Sequence, residues 1–333
     1  MKRFIIRAII AVGAVLMIGI AALAYSVTTP YQNYEEPVVV MIEPRTSSEQ
    51  IGVELESRGV IQSRWLFLAT RAMRFQTKLM AGEYRFDHAM PVWEVYDHIA
   101  SGRVLQHPVT IPEGLTRFQI ASLIASGGFA SREEFLAECE KTDRIRDLFP
   151  EAGNLEGFLF PETYQMTRPF SAARLVDMMV ARFRSVFEQL SAGQTHKLKS
   201  YELVTLASLI EKETGVGGER KLVSSVFHNR LDRRMLLQCD PTVIYGLMME
   251  DRYRGQLTRD DLAIPHKYNT YVHAGLPPGP IANPGRASLE AAFEPAPSSY
   301  LFFVAQANGG GGHVFSESLE AHNRAVGAYR RSR

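Results

Sequence analysis

The sequence predicts an α+β fold in three parts: a single N-terminal transmembrane helix, a small mixed α/β subdomain, and a larger, mostly helical domain with β-hairpin elements. Three observations predict it. A charge-free, apolar stretch runs from Ala8 to Val27. Short strand and helix patterns alternate from Val38 to Pro112, and helical patterns dominate from Leu115 onward. With 333 residues and 46% hydrophobic composition, the chain has apolar material for two packed units, so disorder of the whole chain is excluded.

Residues 1–7 hold Lys2, Arg3 and Arg7, and the 20 residues 8–27 span about 30 Å as a helix, the thickness of a bilayer core. Basic residues before the stretch and Glu35 and Glu36 after it place the N-terminus in the cytoplasm and the remainder outside. A cleaved signal peptide is the competing reading, supported by the small residues of Ala21-Ala22-Leu23-Ala24. The length of the apolar stretch favours an uncleaved anchor. Residues 28–37, polar and holding Pro30 and Pro37, read as a linker.

In residues 38–112, Val38 to Ile42 reads as a strand, and Pro44 to Ser48 as a turn into a helix carrying Ile51 and Leu55. Gly59 stops that helix, since glycine takes the left-handed conformation at little cost. A second helix starts near Ser63; Gly82 to Phe86 alternates as a strand; Val92 to Ala100 is helical; and Val104 to Ile111 is a further strand. The strand–helix–helix start resembles the small glycan-binding module called LysM.

The domain at 113–333 opens with helices at Phe118 to Ala125 and Arg132 to Glu140. The aromatic segment Leu155 to Tyr164 either lines a sugar cleft, where rings stack on the apolar faces of sugars, or belongs to the core. Ala172 to Leu190 is a long amphipathic helix, followed by helices at Ser200 to Glu213 and Glu219 to Leu231. Near the C-terminus, Tyr300 to Val304 and Val314-Phe315 flank the glycine run at 309–312 as a β-hairpin.

Composition removes several functions. Lys plus Arg number 37 against 36 Asp plus Glu, so the basic footprint of a nucleic-acid partner is missing. Cys139 and Cys239 are too few for a disulfide scaffold or thiolate cluster; either they form one bond or they are two separate buried thiols, the simpler reading. The histidines, including His228, His266, His273, His313 and His322, have no HExxH spacing, so no metal is expected. No GxSxG elbow occurs, and the glycine run lacks the Lys and Ser or Thr of a phosphate-binding loop.

The helix from Ser200 carries the most informative carboxylate. Ser200 can cap its start, Glu202 suits its first turn, and Gly215 can end it. At 100° per residue Glu213 lies within about 20° of Leu206, on the apolar face, whereas Glu211 lies about 200° away and faces solvent. The two cannot serve one cleft as an opposed hydrolase pair. Glu213 is either a paired structural carboxylate, a frayed surface end, or an acid whose partial desolvation keeps it protonated near neutral pH.

Two later segments are dense in polar and ring residues. In Gln238 to Gly246, Gln238, Asp240 and Thr242 can face a polar ligand, while Asp240 before Pro241 equally suits a helix N-cap. Tyr268-Asn269-Thr270-Tyr271 and the proline- and glycine-rich stretch Gly275 to Gly285 form a shaped wall in which Asn269, Tyr271 and Asn283 offer hydrogen bonds to sugars or to turns.

Together, Glu211-Lys212-Glu213-Thr214, Glu219-Arg220, Leu237 through Gly246, Tyr268 through Tyr271, Gly275 through Ile281, Gly312-His313-Val314-Phe315 and His322-Asn323 resemble the MltG/YceG-like family of membrane-anchored endolytic murein transglycosylases. The likeness spans nearly all residues after the apolar stretch. It implies a LysM-like subdomain, a lytic transglycosylase domain whose essential acid is Glu213, and substrate contacts or support from Gln238, Asp240, Tyr245, Asn269 and Asn283. It further implies cleavage of nascent peptidoglycan glycan strands at N-acetylmuramic acid to N-acetylglucosamine bonds with 1,6-anhydro ends, at the bacterial inner membrane, beside peptidoglycan synthases and without a cofactor. Cys239 stands where threonine is frequent. Muramidase-type hydrolysis and a non-catalytic glycan-binding scaffold are the competing functions.

Overall fold

The computed structural model describes residues 2–306 and 312–332, with the backbone alone at 2–5, 8 and 9. Most of the glycine run at 309–312 and the side chains of Lys2 and Arg3 therefore lie outside the described residues. The chain divides into two units: Met1–Pro108 with Gln165–Phe170, and Val109–Tyr164 with Ser171–Arg333. Residues 165–170, beyond the sequence boundary near Pro112, thus pack with the first unit.

The first unit begins with α1, Lys2–Thr28, within which Ile10–Thr28 is long and apolar enough to cross a membrane. Its Leu16, Met17 and Ile18 side chains are more than half exposed. The segment after it is not slack. Tyr31 donates its N–H to the Met90 carbonyl at 3.1 Å, Asn33 to the Gly59 carbonyl at 2.9 Å, and the Tyr34 hydroxyl to the His88 carbonyl at 3.0 Å. Gly59 has φ +72°, and a Cβ there would meet the Asn33 carbonyl oxygen at 2.4 Å, so glycine both ends a helix and admits this segment.

Strand β1, Val38–Ile42, leads into α2, Ser48–Ser57, α3, Arg64–Met73, and β2, Gly82–Phe86. A capping box between Ser47 and Gln50 starts α2, and the Ser63 side chain caps α3. β1 and β2 pair antiparallel, Val40 opposite Tyr84 and Val38 opposite Phe86. Val40, Ile42, Tyr84 and Phe86 point inward onto Ile51, Leu55 and Phe67, as strand alternation requires. Helix α4, Val92–Ala100, adds Val95, Tyr96 and Ile99. The buried Tyr84 hydroxyl is satisfied by the Met80 and Ile99 carbonyls, at 2.8 and 3.0 Å. Strand β3, His107–Thr110, is shorter than the expected Val104 to Ile111.

The second unit holds α5, Arg117–Ser126, α6, Arg132–Cys139, and the first two residues of β4, Thr163–Met166, whose Gln165 and Met166 belong to the first unit. No strand pattern marks β4, because its first two residues belong to the aromatic segment and only two follow it. That segment is core: Phe158, Leu159, Phe160 and Tyr164 are buried. Phe158 packs 4.8 Å from Phe149 and 5.1 Å from Phe183 of α7, Ala172–Ser191, so its rings are unavailable to a sugar.

Helix α8, Ser200–Glu213, runs through the centre, with every residue from Leu203 to Ile210 buried. Around it lie α9, Arg220–Asp232, α10, Asp240–Met249, and α11, Arg286–Phe293. Strands β5, Phe302–Ala305, and β6, His313–Ser316, form the expected hairpin, Phe303 opposite Phe315. They pack against α12, Leu319–Arg331, capped by Ser318. Helices α11 and α12 were not expected; α11 is only eight residues long, and α12 has no buried residue.

Candidate active site

Lys199, not Ser200, is the N-cap of α8, with its N–H donating to the Glu202 carboxylate at 2.7 Å. At the other end the helix stops at Glu213, two residues before the expected Gly215, with Thr214 as its C-cap. Thr214 is extended and buried, and its hydroxyl accepts from the Val216 N–H at 3.0 Å. The chain therefore turns away directly after Glu213, leaving that side chain at the rim of the helix end.

Glu213 opens into a cavity of about 300 Å³. Phe227 and Arg230 of α9, Leu237, Gln238 and Asp240 form much of its wall, and Tyr271, Phe303 and His322 complete it. Of the five predicted companions of Glu213, the structure thus brings Gln238 and Asp240 to the same cavity. The chain alternates here: Gln238 and Asp240 are exposed, while Cys239 between them is buried.

Protonation of Glu213 is favoured. The residue is half-buried, with its carboxylate almost wholly surrounded by protein, and this desolvation pushes its pKa up. The nearby Asp240 charge pushes the same way; a hydrogen bond from the Cys239 thiol and the His313 and Arg230 charges oppose it. The C-terminal end of α8 adds its negative pole to the forces disfavouring the anion. Among the described residues no Lys, Arg or His nitrogen lies within 4 Å of this carboxylate, so Glu213 is not a locked ion pair. Arg230 is committed elsewhere: its Nε donates to the Leu301 carbonyl at 2.7 Å and its Nη1 to the Leu237 carbonyl at 2.8 Å.

Asp240 is the first residue of α10, whose N-cap is Cys239, so it is no cap. Its Oδ1 accepts from the Tyr271 hydroxyl. Thr270 ties the two segments together: its carbonyl accepts from the Gln238 N–H at 3.1 Å and its hydroxyl from the Cys239 N–H at 3.0 Å. Gln238 sits at φ +51°, a left-handed conformation held by this stitching.

Asn269, Asn283 and Tyr245 lie outside the cavity lining. The buried Asn269 amide donates to the Leu262 and Ile264 carbonyls at 3.0 and 2.9 Å and accepts from the Tyr271 N–H at 2.9 Å. Asn283, also buried, accepts from the Gly157 and Leu159 N–H groups, each at 2.9 Å, and donates to the Leu115 carbonyl and the Glu156 carboxylate. No amide atom of either is left for a sugar, and their geometry makes them loop braces rather than substrate contacts. Tyr245 is buried, its ring 5.0 Å from Tyr268 and its hydroxyl near Glu156 without hydrogen-bonding geometry.

Glu211 corrects another expectation. Rather than facing solvent, it is half-buried and accepts the Gly285 N–H at 3.0 Å. Glu113 packs against the same glycine, where a Cβ would meet its carboxylate at 2.2 Å. Both cysteines are free and buried, in agreement with two separate thiols.

Sequence reasoning left Arg230 and Phe227 as helix residues, Phe303 as hairpin and His322 among unplaced histidines. Their convergence depends on the β5–β6 hairpin and α12 folding back beside α9, which no local pattern encodes. The buried Glu156, 2% exposed, was missed for the same reason.

Known proteins carry the same pattern. The model of the YceG-like family matches residues 40–328, from within β1 to within α12. A Bacillus subtilis (strain 168) protein named endolytic murein transglycosylase is 32% identical over 333 residues, an alignment covering 94% of this chain and 91% of that protein. A Streptococcus pneumoniae (serotype 2, strain D39) protein of the same name is 30% identical over 88% of this chain, which spans 58% of that longer relative. A crystal structure of a yceG-like protein from Listeria monocytogenes superposes with a TM-score of 0.55 at 32% identity, covering 87% of this chain and 99% of that one. With the match running through both units and past every residue of the Glu213 cavity, this chain belongs to the YceG-like family.

Proposed function

We propose that this protein is an endolytic peptidoglycan lytic transglycosylase in which Glu213 acts as acid and then as base. The observation that carries the reading is a carboxyl group biased toward its protonated form and facing an open cavity, not a salt bridge. The protonated Glu213 gives its proton to the oxygen leaving an N-acetylmuramic acid to N-acetylglucosamine linkage. As the C1–oxygen bond breaks, the Glu213 carboxylate takes the proton of the muramic C6 hydroxyl, and O6 closes on C1 as a 1,6-anhydro ring. No water is consumed, and Glu213 ends as it began. Gln238 and Asp240 position the sugar, and Tyr271 orients Asp240.

Asp240 favours one competing reading, hydrolysis of the same bond, because it puts a second carboxylate in the cavity. Mass analysis of digested peptidoglycan separates the two. Anhydromuramoyl ends, absent with Glu213→Gln, support the lyase, and reducing muramic ends of the same mass as a muramidase digest reject it.

The exposed apolar α1 supports a single-pass anchor in the bacterial inner membrane, N-terminus in the cytoplasm, because its described side chains before Ser26 are exposed rather than packed on the protein. The order β1–α2–α3–β2 supports the LysM-like reading of the first unit and a glycan-binding role for it. Peptidoglycan synthases are the partners such an enzyme would meet where strands are made.

A further inference from the structure

One polar ring in the Glu213 cavity has incomplete bonding. His322, in the first turns of α12, lines that cavity, and its ring stacks on Phe302 at 5.2 Å with planes 23° apart, which fixes the ring plane. Nδ1 is buried without a partner. Nε2 also has no hydrogen-bond partner among the described residues, but it is not enclosed, so it is the nitrogen left to a ligand.

The tautomer follows. A buried N–H without an acceptor costs more than a buried lone pair without a donor, so Nδ1 carries the lone pair and the proton resides on Nε2. Burial and the Arg230 charge push the His322 pKa below its ordinary value, which keeps the ring neutral near neutral pH. Among the other polar groups of the cavity, Asp240 accepts, Gln238 can do either, and Arg230, which keeps its charge, has Nε and Nη1 turned toward backbone carbonyls. His322 is therefore a fixed, uncharged donor.

We propose that His322 donates from Nε2 to the acetamide carbonyl oxygen of the N-acetylated sugar seated beside Glu213. The assignment rests on the glycan-cleaving reading above. An amide carbonyl only accepts, and it is the strongest neutral acceptor on such a strand, whereas hydroxyls are equally served by Gln238 or Asp240. Phe303, half-buried, offers apolar surface to the acetyl methyl group in the same cavity, backed by the buried Phe227 and Leu237.

The test pairs a change in the protein with a change in the substrate. Binding of fully acetylated and of de-N-acetylated glycan strands is measured for the Glu213→Gln chain with and without His322→Ala, beside cleavage by the corresponding Glu213 enzymes. His322→Ala is expected to weaken binding and kcat/KM about tenfold on acetylated strands, about one lost hydrogen bond, and to change little on de-N-acetylated strands. His322→Gln, whose amide N–H can reach the same oxygen, is expected to recover part of the loss. Equal losses on both strands, or full losses that simply add, overturn the assignment. Strands that bind with this pattern but are left uncut by the Glu213 enzyme defeat the transglycosylase reading and leave the acetamide contact standing.

Discussion

The Cys239 thiol faces the Glu213 carboxylate where the last residue of α8 meets the N-cap of α10. Burial and the neighbouring carboxylate hold the thiol pKa well above its ordinary value, so it stays protonated and serves Glu213 as a weak donor. Replacing it with a hydroxyl strengthens the donor and favours the Glu213 anion. Cys239→Thr is therefore expected to keep activity but to move the alkaline limb of the pH–kcat profile to lower pH, as measured by strand cleavage across pH; an unmoved limb would show that the thiol does not tune the acid.

Glu213→Gln retains shape while removing the proton that the reaction passes on. Cleavage should fall by about 10²–10⁴-fold, as for loss of a general acid. Stability should move the other way. Because folding raises the pKa of Glu213, the native state loses stability as pH climbs from the unfolded-state value through the folded one. The glutamine variant escapes that loss, so its Tm should exceed wild type at neutral pH and converge with it in acid, below the unfolded carboxylate's range. Calorimetry at both pH values checks this.

Tyr271→Phe deletes the hydroxyl bound to Asp240 and nothing else in the wall. A hydrogen bond to a charged group is worth about 1.5–3 kcal/mol, so kcat/KM should drop by roughly 10–100-fold with the fold intact. Unchanged kinetics with an unchanged circular dichroism spectrum would mean that Asp240 needs no orienting.

Asn283→Ala should act on stability. Two backbone N–H groups and the Glu156 carboxylate lose their partner inside the protein. The expected cost is about 3 kcal/mol or more, visible in denaturant titration as a lower midpoint. A variant as stable as wild type but slow on strands would return Asn283 to the substrate-binding set.

Glu156 gives a second pH signature. Burial pushes its pKa up to about 7, against the opposing Arg117 N–H, the Arg117 charge and Asn283. Its raised value means stability is fully present below about pH 4.5 and lost as pH rises toward 7, a slope worth about 3 kcal/mol at most. Glu156→Gln should flatten the stability curve between those limits.

Legibility followed the range of the signal. Ser63, Gly59 and the Gly82 to Phe86 alternation mark their elements through neighbours in sequence, and the structure places those elements where the residues indicate. Glu213 was legible because seven residues of helix geometry relate it to Leu206. Asn269 and Asn283 stayed open between sugars and turns in the sequence because an amide's chemistry is the same whether its partner is a sugar or a carbonyl; the bonds at Leu262, Ile264, Gly157 and Leu159 favour the turns. Nothing local marked His322 or Phe303 as neighbours of Glu213, since a hairpin and a terminal helix deliver them from about a hundred residues away.

The hydrogen bonds of Tyr31, Asn33 and Tyr34 leave almost no free chain between the lipid-length helix and the first folded unit. With that helix in a bilayer, the unit stands on a short rigid post instead of swinging on a leash. The distance of that first unit from the lipid surface is then set by the hydrogen bonds of Tyr31, Asn33 and Tyr34, and a few glycines inserted at the post would let it swing free.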